Sequence, residues 1–258
     1  MILAIDAGNS IISIGCIDDG EISRVFRLSA DIAKTADEYA SDIGSIMDFH
    51  GVSHAGIAGV IISCVVPPLT GILKSAVMLL AGIDAIVVGA GVKTGMNILI
   101  DDPGQLGGDM VATAVGALAS YEPPMIIVDL STATKMYVIN KNGGFIGGAI
   151  SPGISLSLTA LAAGTSQLPQ VSLEAPEKCI SANTIDCMKS GAIFGAASMI
   201  DGMTERFEAE LGSQAQIIVT GGLADVVYRH CRRDVIHDPH LILRGLGIIF
   251  DKNRRPRI

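Results

Sequence analysis

Three stretches of the chain hold the polar side chains best placed to do chemistry. In residues 2–19 an apolar run ends at Asp6, a small polar turn follows as Ala7-Gly8-Asn9-Ser10, and a second apolar run begins at Ile11. Two β-rich runs joined by a tight turn read as a hairpin. A carboxylate at its mouth, beside backbone N–H groups, suits the phosphate tail of a nucleotide and the cation that accompanies it. Gly8 is expected to take backbone angles closed to other residues, so that a ligand can approach the peptide. Residues 125–140 repeat the scheme with Asp129, the turn Ser131-Thr132-Ala133-Thr134 and a second run. Laid over the first copy, Asp129 falls on Asp6, Thr132 on Asn9 and Tyr137 on Ile14. Such repetition implies two related halves. The third stretch is Gly107-Gly108-Asp109, ahead of a helix of small residues expected over 110–121. By local pattern Asp109 is that helix's N-cap.

The elements that would position these groups follow from periodicity and punctuation. After the first hairpin, residues 20–28 read as a third strand. Thr35 and Glu38 form a capping-box pair at the head of a helix running towards His50. The continuous apolar run 58–65 reads as a buried strand. Pro67-Pro68 breaks that run ahead of a helix expected over roughly 69–81, and 85–88 is a short strand. The first half is therefore β-β-β-α-β-α-β, an α/β domain with a mixed sheet. In the second half the glycine-rich strand 143–153 leads to a helix over 156–163. Asn183-Thr184 precedes a long helix to about Leu211, whose Ala, Gly and Met suggest close helix contact. Residues 217–224 form a strand ending in Gly221-Gly222, a turn that lets the backbone close on a flat ring or a sugar, or that simply turns strand into helix. A last helix is expected over 241–250.

Composition sets bounds on function. At 258 residues the chain has room for two domains, and a net charge of −8 argues against a nucleic-acid partner. The basic tail 252–257 is the one local exception. Five scattered cysteines without CxxC spacing fit buried thiols in a reducing compartment, with Cys64 expected in the core. Mean hydropathy is +0.51, yet no run is long enough to span a membrane without a Gly, Pro or polar break. No membrane partner is expected, and the chain reads as cytoplasmic.

At these residues the chain resembles the type III pantothenate kinases, within the superfamily of acetate kinase, sugar kinases, Hsp70 and actin. The likeness is carried by residues 6–10 (DAGNS), 35–39 (TADEY), 63–70 (SCVVPPLT), Gly107-Gly108-Asp109, Asp129 with Thr132-Ala133-Thr134, Gly147-Gly148 with Pro152-Gly153, Leu168-Pro169, Asn183-Thr184 and 220–224 (TGGLA). Each piece is weak alone; their order and spacing across the whole length are specific. The resemblance implies an α/β chain of two actin-like (ribonuclease H-like) domains, 1–115 and 116–258, with mixed sheets flanked by helices and a cleft between them. It implies a homodimer, and ATP-dependent phosphorylation of pantothenate in coenzyme A synthesis. By motif match Asp6, Ala7, Gly8, Asn9, Ser10, Ile11, Ile12 and Ser13 would hold ATP, with Thr132, Gly221 and Gly222. Asp6 would place Mg²⁺ through water, and Asp129 would sit at a monovalent cation, K⁺ or NH₄⁺. Ile100, Gly107, Gly108 and Met110 would line the pantothenate site, Thr184 would reach it from the partner subunit, and Asp109 would be the general base.

The pattern breaks at several of these positions. Met110 stands where the family carries arginine, so a planar fork of donors suited to a carboxylate is lost. Ile100 replaces a tyrosine, Ile11 a polar residue, Ser131 a glycine and Lys135 a threonine. Three readings stay open on the sequence: a pantothenate kinase with a rebuilt pocket, a kinase for another hydroxylated acceptor, and a weak or inactive member that binds nucleotide or a partner. The Lys135 ammonium is expected to replace the monovalent cation, to reach a phosphate oxygen, or to lie in solvent on its strand.

Overall fold

A computed structural model describes residues 1–254 of the chain; residues 255–257 of the basic tail lie outside the described residues. In chain order the elements are β1 (Ile2–Ala7), β2 (Ile11–Asp18), β3 (Glu21–Ser29), α1 (Ala36–Phe49), β4 (Gly59–Cys64), α2 (Pro67–Ala81), β5 (Ile86–Val87) and α3 (Gly108–Leu118). They continue as β6 (Met125–Leu130), β7 (Ala133–Ile139), β8 (Phe145–Pro152), α4 (Ile154–Ala163), α5 (Thr184–Leu211), β9 (Gln216–Thr220), β10 (Ile236–His237) and α6 (Leu241–Asn253). No helix among the described residues is long and apolar enough to cross a membrane.

The chain divides into two units, and the division is not contiguous. Among the described residues, 1–96, 101–120 and 240–254 form the first, and 97–100 with 121–239 form the second. The last helix thus groups with the first unit although it lies far beyond residue 115. Each unit is built on a five-stranded mixed sheet, ordered β3-β2-β1-β4-β5 in the first and β10-β9-β6-β7-β8 in the second. Read from the antiparallel edge, the second order is β8-β7-β6-β9-β10, the topology of the first. In both, an antiparallel meander is followed by two parallel strands reached by helical crossovers. The sequence repeat is therefore a repeat of architecture.

In the first unit, Leu3, Ile5, Ile12 and Ile14 face Tyr39, Ile43 and Met47 of α1 and Leu69, Leu73 and Val77 of α2, all fully buried. The capping box at the head of α1 forms as the residue types require: the Glu38 N–H donates to the Thr35 hydroxyl and the Thr35 N–H to the Glu38 carboxylate, at 3.3 and 2.7 Å. Helices α3 and α6 pack together at two glycines. A Cβ on Gly116 would strike the Leu241 carbonyl, and one on Gly245 the Ala112 carbonyl. Small residues in α3 therefore let two backbones touch, and α6 in turn lays Leu243 against Gly15 and Gly247 against Ile17 of β2. In the second unit the apolar faces of β6, β7 and β9 meet Ala196, Ala197 and Ile200 of α5.

The cysteines do not all behave as buried thiols. Cys16 is buried, and burial pushes its thiol up to about 11, but Cys64 is half-buried and Cys179 and Cys187 are exposed. Cys64 closes β4, where the chain leaves the core for the Pro67-Pro68 turn.

Candidate functional site

The first hairpin forms at the predicted place. β1 and β2 pair antiparallel with Asp6 opposite Ser13 and Ala7 opposite Ile12, so Gly8, Asn9, Ser10 and Ile11 make the loop. The Gly8 N–H donates to the Ile11 carbonyl at 3.0 Å and closes it. Gly8 does not take a positive φ, in contrast to the expectation. Its value is steric, since a Cβ would lie 3.2 Å from the Ile11 carbonyl oxygen. Asn9, Ser10 and Ile11 are exposed, so the loop offers its polar side chains and backbone outward.

Asp6 is flanked within the sheet. Ser13 lies opposite it on β2 and Ser63 opposite it on parallel β4. Ser63 is fully buried, and its hydroxyl has no hydrogen-bond partner among the described residues. A buried hydroxyl left unpaired costs about 1–3 kcal/mol, so such a group is expected to meet water or a ligand. Ser63 was not singled out from the sequence as a site residue. The available signal was a serine inside the otherwise apolar run 58–65.

Helix α3 starts earlier than expected, at Gly108, and its N-cap is Gly107. Asp109 is therefore not the cap; it lies in the first turn, with its backbone carbonyl accepting from the Thr113 hydroxyl at 2.8 Å. Its carboxylate folds back over Gly107, where a Cβ would collide with Oδ1. Gly108 packs on the end of β5, 3.2 Å from the Val88 carbonyl oxygen by the same measure. Gly107, Gly108, Asp109 and Met110 are all half-buried. The two glycines thus hold the start of α3 tight and leave room for a carboxylate over the first.

The second unit assembles the other half of the predicted residues. β6 and β7 pair with Leu130 opposite Thr134 and Asp129 opposite Lys135. The loop is one residue shorter than in the first hairpin, so a fixed offset no longer matches the returning strands. Tyr137 stands opposite Ile127, one step out of register with the Ile14–Ile5 pair of the first copy. Lys135 Nζ lies 2.7 Å from Asp129 Oδ2, and each side chain is only 14% exposed. The other carboxylate oxygen borders Gly221. That residue has φ +97°, and a Cβ on it would stand 2.6 Å from Asp129 Oδ1 and 2.5 Å from the Leu130 carbonyl oxygen. Glycine is required there on both counts. The next residue, Gly222, is exposed with open space around it. Thr132 is exposed at the hairpin tip, and Gly153 packs so closely on the Ser131 and Thr132 carbonyls that no side chain would fit.

The remaining expected residues of this unit are Ile100 and Thr184. Ile100 is half-buried at the end of a segment that runs beside β8, held by the Leu99 N–H to the Phe145 carbonyl at 2.8 Å. Thr184 is the first residue of α5, capped by Asn183, whose side chain accepts from the Asp186 N–H at 2.9 Å. It lines an apolar groove of about 390 Å³ with Leu158, Leu161, Leu168 and Met188. Among the described residues no group of three or more His, Cys, Asp or Glu side chains stands at metal-binding spacing.

Comparison with known proteins fits this arrangement. A family model described as type III pantothenate kinase matches residues 2–206. The type III pantothenate kinase of an Exiguobacterium species is 39% identical over 255 residues, covering 99% of this chain and 100% of the relative. That of Halalkalibacterium halodurans is 37% identical over 253 residues, covering 98% and 100%. Among solved structures, the activator of the 2-hydroxyisocaproyl-CoA dehydratase from Clostridium difficile, with bound ADPNP, shares the fold at a TM-score of 0.56 and 13% identity, over 97% of this chain and 94% of that one.

Proposed function

The chain belongs to the type III pantothenate kinase family, and on that premise we propose how its residues divide the work. It is an ATP-dependent kinase that phosphorylates pantothenate to 4′-phosphopantothenate in coenzyme A biosynthesis. In the first unit the β1–β2 loop, residues 8–11, holds nucleotide phosphates through its backbone and polar side chains; in the second, Thr132, Gly221 and Gly222 are the residues that contact nucleotide. Asp109 takes the proton of the primary hydroxyl as that oxygen bonds to the γ-phosphorus and the bond to ADP breaks. Gly107, Gly108 and Met110 of the first unit line the acceptor; in the second unit Ile100 is an acceptor contact. The observation that carries the assignment is the twice-built acidic hairpin in a chain matched end to end by these kinases.

The residues around Asp6 suit Mg²⁺. A carboxylate with Ser13 and the unpaired Ser63 hydroxyl as its neighbours on the sheet offers oxygen ligands, and magnesium is ordinarily held by one or two carboxylates together with waters and substrate phosphates. Bound there, the ion neutralises charge on the transferring phosphoryl group. A monovalent cation at Asp129 is a poorer fit, because the Lys135 ammonium already contacts that carboxylate.

A homodimer and a cytoplasmic setting belong to the same reading. Exposed Leu156 and Leu161 on α4, Ile185 on α5 and Ile150 on β8 give the second unit an apolar surface that a second copy would cover. Thr184 would then serve the partner's acceptor site.

The test is Asp109→Asn. Pantothenate-dependent ADP release should fall by about a hundredfold or more while calorimetry finds ATP binding unchanged. A neutral amide of pantothenate, assayed in parallel, separates the acceptors: Met110 offers no cation to a carboxylate, and preference for the amide would mark a different natural substrate. Full activity in Asp109→Asn would remove Asp109 from the chemistry.

A further inference from the structure

We propose that Lys135 is a built-in cation at Asp129, taking the place of a dissociable monovalent ion in the second hairpin. The inference rests on the nucleotide-binding reading of that hairpin and deepens it.

The geometry begins with register. Residues directly opposite on an antiparallel pair project to the same face. Asp129 and Lys135 are such a pair, so their side chains rise together from neighbouring strands. Nζ reaches Oδ2 at 2.7 Å, a normal charge-assisted hydrogen bond, with both side chains 14% exposed. At that burial, moving either charge away would leave the other buried without a counter-charge, which holds the pair together. The surroundings leave a second cation little to collect. The Leu130 carbonyl accepts from the Leu223 N–H at 3.0 Å, and the Thr132 carbonyl accepts from the Gly153 N–H at 3.2 Å. A potassium ion would need several oxygens at once, and it would compete with an ammonium tethered by its own strand at high effective concentration.

The consequence is chemical. Positive charge near the Ser131–Thr132 turn is fixed by the polypeptide and does not vary with the salt in solution. It serves the phosphate tail that this turn approaches, as a resident counter-charge in a partly dry site.

The experiment reads binding of a non-hydrolysable ATP analogue in potassium chloride and in choline chloride at equal ionic strength. Wild-type affinity should agree within about twofold between the two salts, because the cation is covalent. Lys135→Thr should bind about tenfold or more weakly in choline and recover most of that loss in potassium, which then enters the vacated position. Lys135→Arg, which keeps the charge, should remain indifferent to the choice of salt. A wild-type requirement for potassium overturns the proposal, and so does a loss in Lys135→Thr that potassium leaves unrepaired. The wild-type comparison decides the matter even if the threonine variant does not fold. Because the readout needs no acceptor, absence of pantothenate turnover would count against the substrate reading and leave this one standing.

Discussion

Gly107→Ala separates the position of the Asp109 carboxylate from everything else at the head of α3. Gly107 has φ −58° and ψ 139°, angles that alanine adopts without strain. The added Cβ would meet Asp109 Oδ1, so the carboxyl group must leave its present rotamer or lean away from it. An off-rotamer side chain costs roughly 0.5–1.5 kcal/mol. Alanine is also a poorer N-cap than glycine, by about 1 kcal/mol or less, while the stiffer unfolded chain returns about 0.4–1 kcal/mol. The fold should therefore lose only about 1 kcal/mol, a Tm shift of about 2–4 °C. The chemistry should lose more, because moving a reacting group by about an ångström can cost a hundredfold, or about 2.7 kcal/mol of barrier.

The assay is steady-state ADP release with ATP and pantothenate varied in turn. kcat should fall about a hundredfold while KM for ATP changes less than about threefold. Both Gly107→Ala and Asp109→Asn act on one group, so the double variant should be no slower than Asp109→Asn alone. A kcat within about threefold of wild type would show that the carboxylate does not need its place over Gly107. Losses that multiply in the double variant would show that Gly107 acts on the acceptor and not through Asp109.

Two further perturbations test the frame around the site. Gly221→Ala forces a side chain into φ +97° and onto the Leu130 carbonyl; urea denaturation should show a loss of roughly 1–3 kcal/mol, and an unmoved midpoint would mean that the turn relaxes freely. Glu208 is partly buried, which pushes its carboxyl up, yet the Ala215 N–H and the Arg233 guanidinium outweigh this and hold it below the ordinary glutamate value. A depressed folded value means stability present above the ordinary carboxylate range and lost as pH falls through the folded value. The stability gap between wild type and Glu208→Gln should accordingly shrink on acidification, and a gap constant with pH would refute the link.

Much of the frame was legible because it rests on local chemistry. Apolar runs ending in an acid and a small polar turn located β1–β2 and β6–β7. The Thr35–Glu38 pair located the start of α1, and Asn183 that of α5. What stayed hidden depends on contacts distant in sequence. The buried stripe Leu241, Leu243, Leu246 and Ile249 announces a core helix, but nothing in it says which sheet α6 covers; the answer lies in the fit of Gly245 against Ala112 and of Gly116 against Leu241. The same holds for the candidate site. Asp109 looked like a cap because acids favour that position, while the cap is Gly107, chosen by the close approach of the carboxylate. Ser63 enters the family likeness only as the head of 63–70, and its meaning for the site comes from lying beside Asp6 on a parallel strand.

The hairpin repeat shows how a small local difference becomes a difference in chemistry. Four residues separate Ala7 from Ile12, and three separate Leu130 from Thr134. Side chains alternate along a strand, so dropping one loop residue moves every returning side chain to the opposite face. At a fixed offset from the first copy, Lys135 corresponds to Ile12, whose side chain is fully buried opposite Ala7. With the shorter loop it stands opposite Asp129 and takes the station held by Ser13 beside Asp6. An apolar position in one copy has thus become a cationic partner in the other through register as much as through substitution. Inserting one glycine after Thr132 restores a loop of four and leaves Leu130 opposite Thr134 and Asp129 opposite Lys135, as Ala7 stands opposite Ile12 and Asp6 opposite Ser13; nucleotide binding by that variant should stay indifferent to potassium, and an acquired need for potassium would show that the extra residue is taken up by a slip of register that carries Lys135 off the Asp129 face.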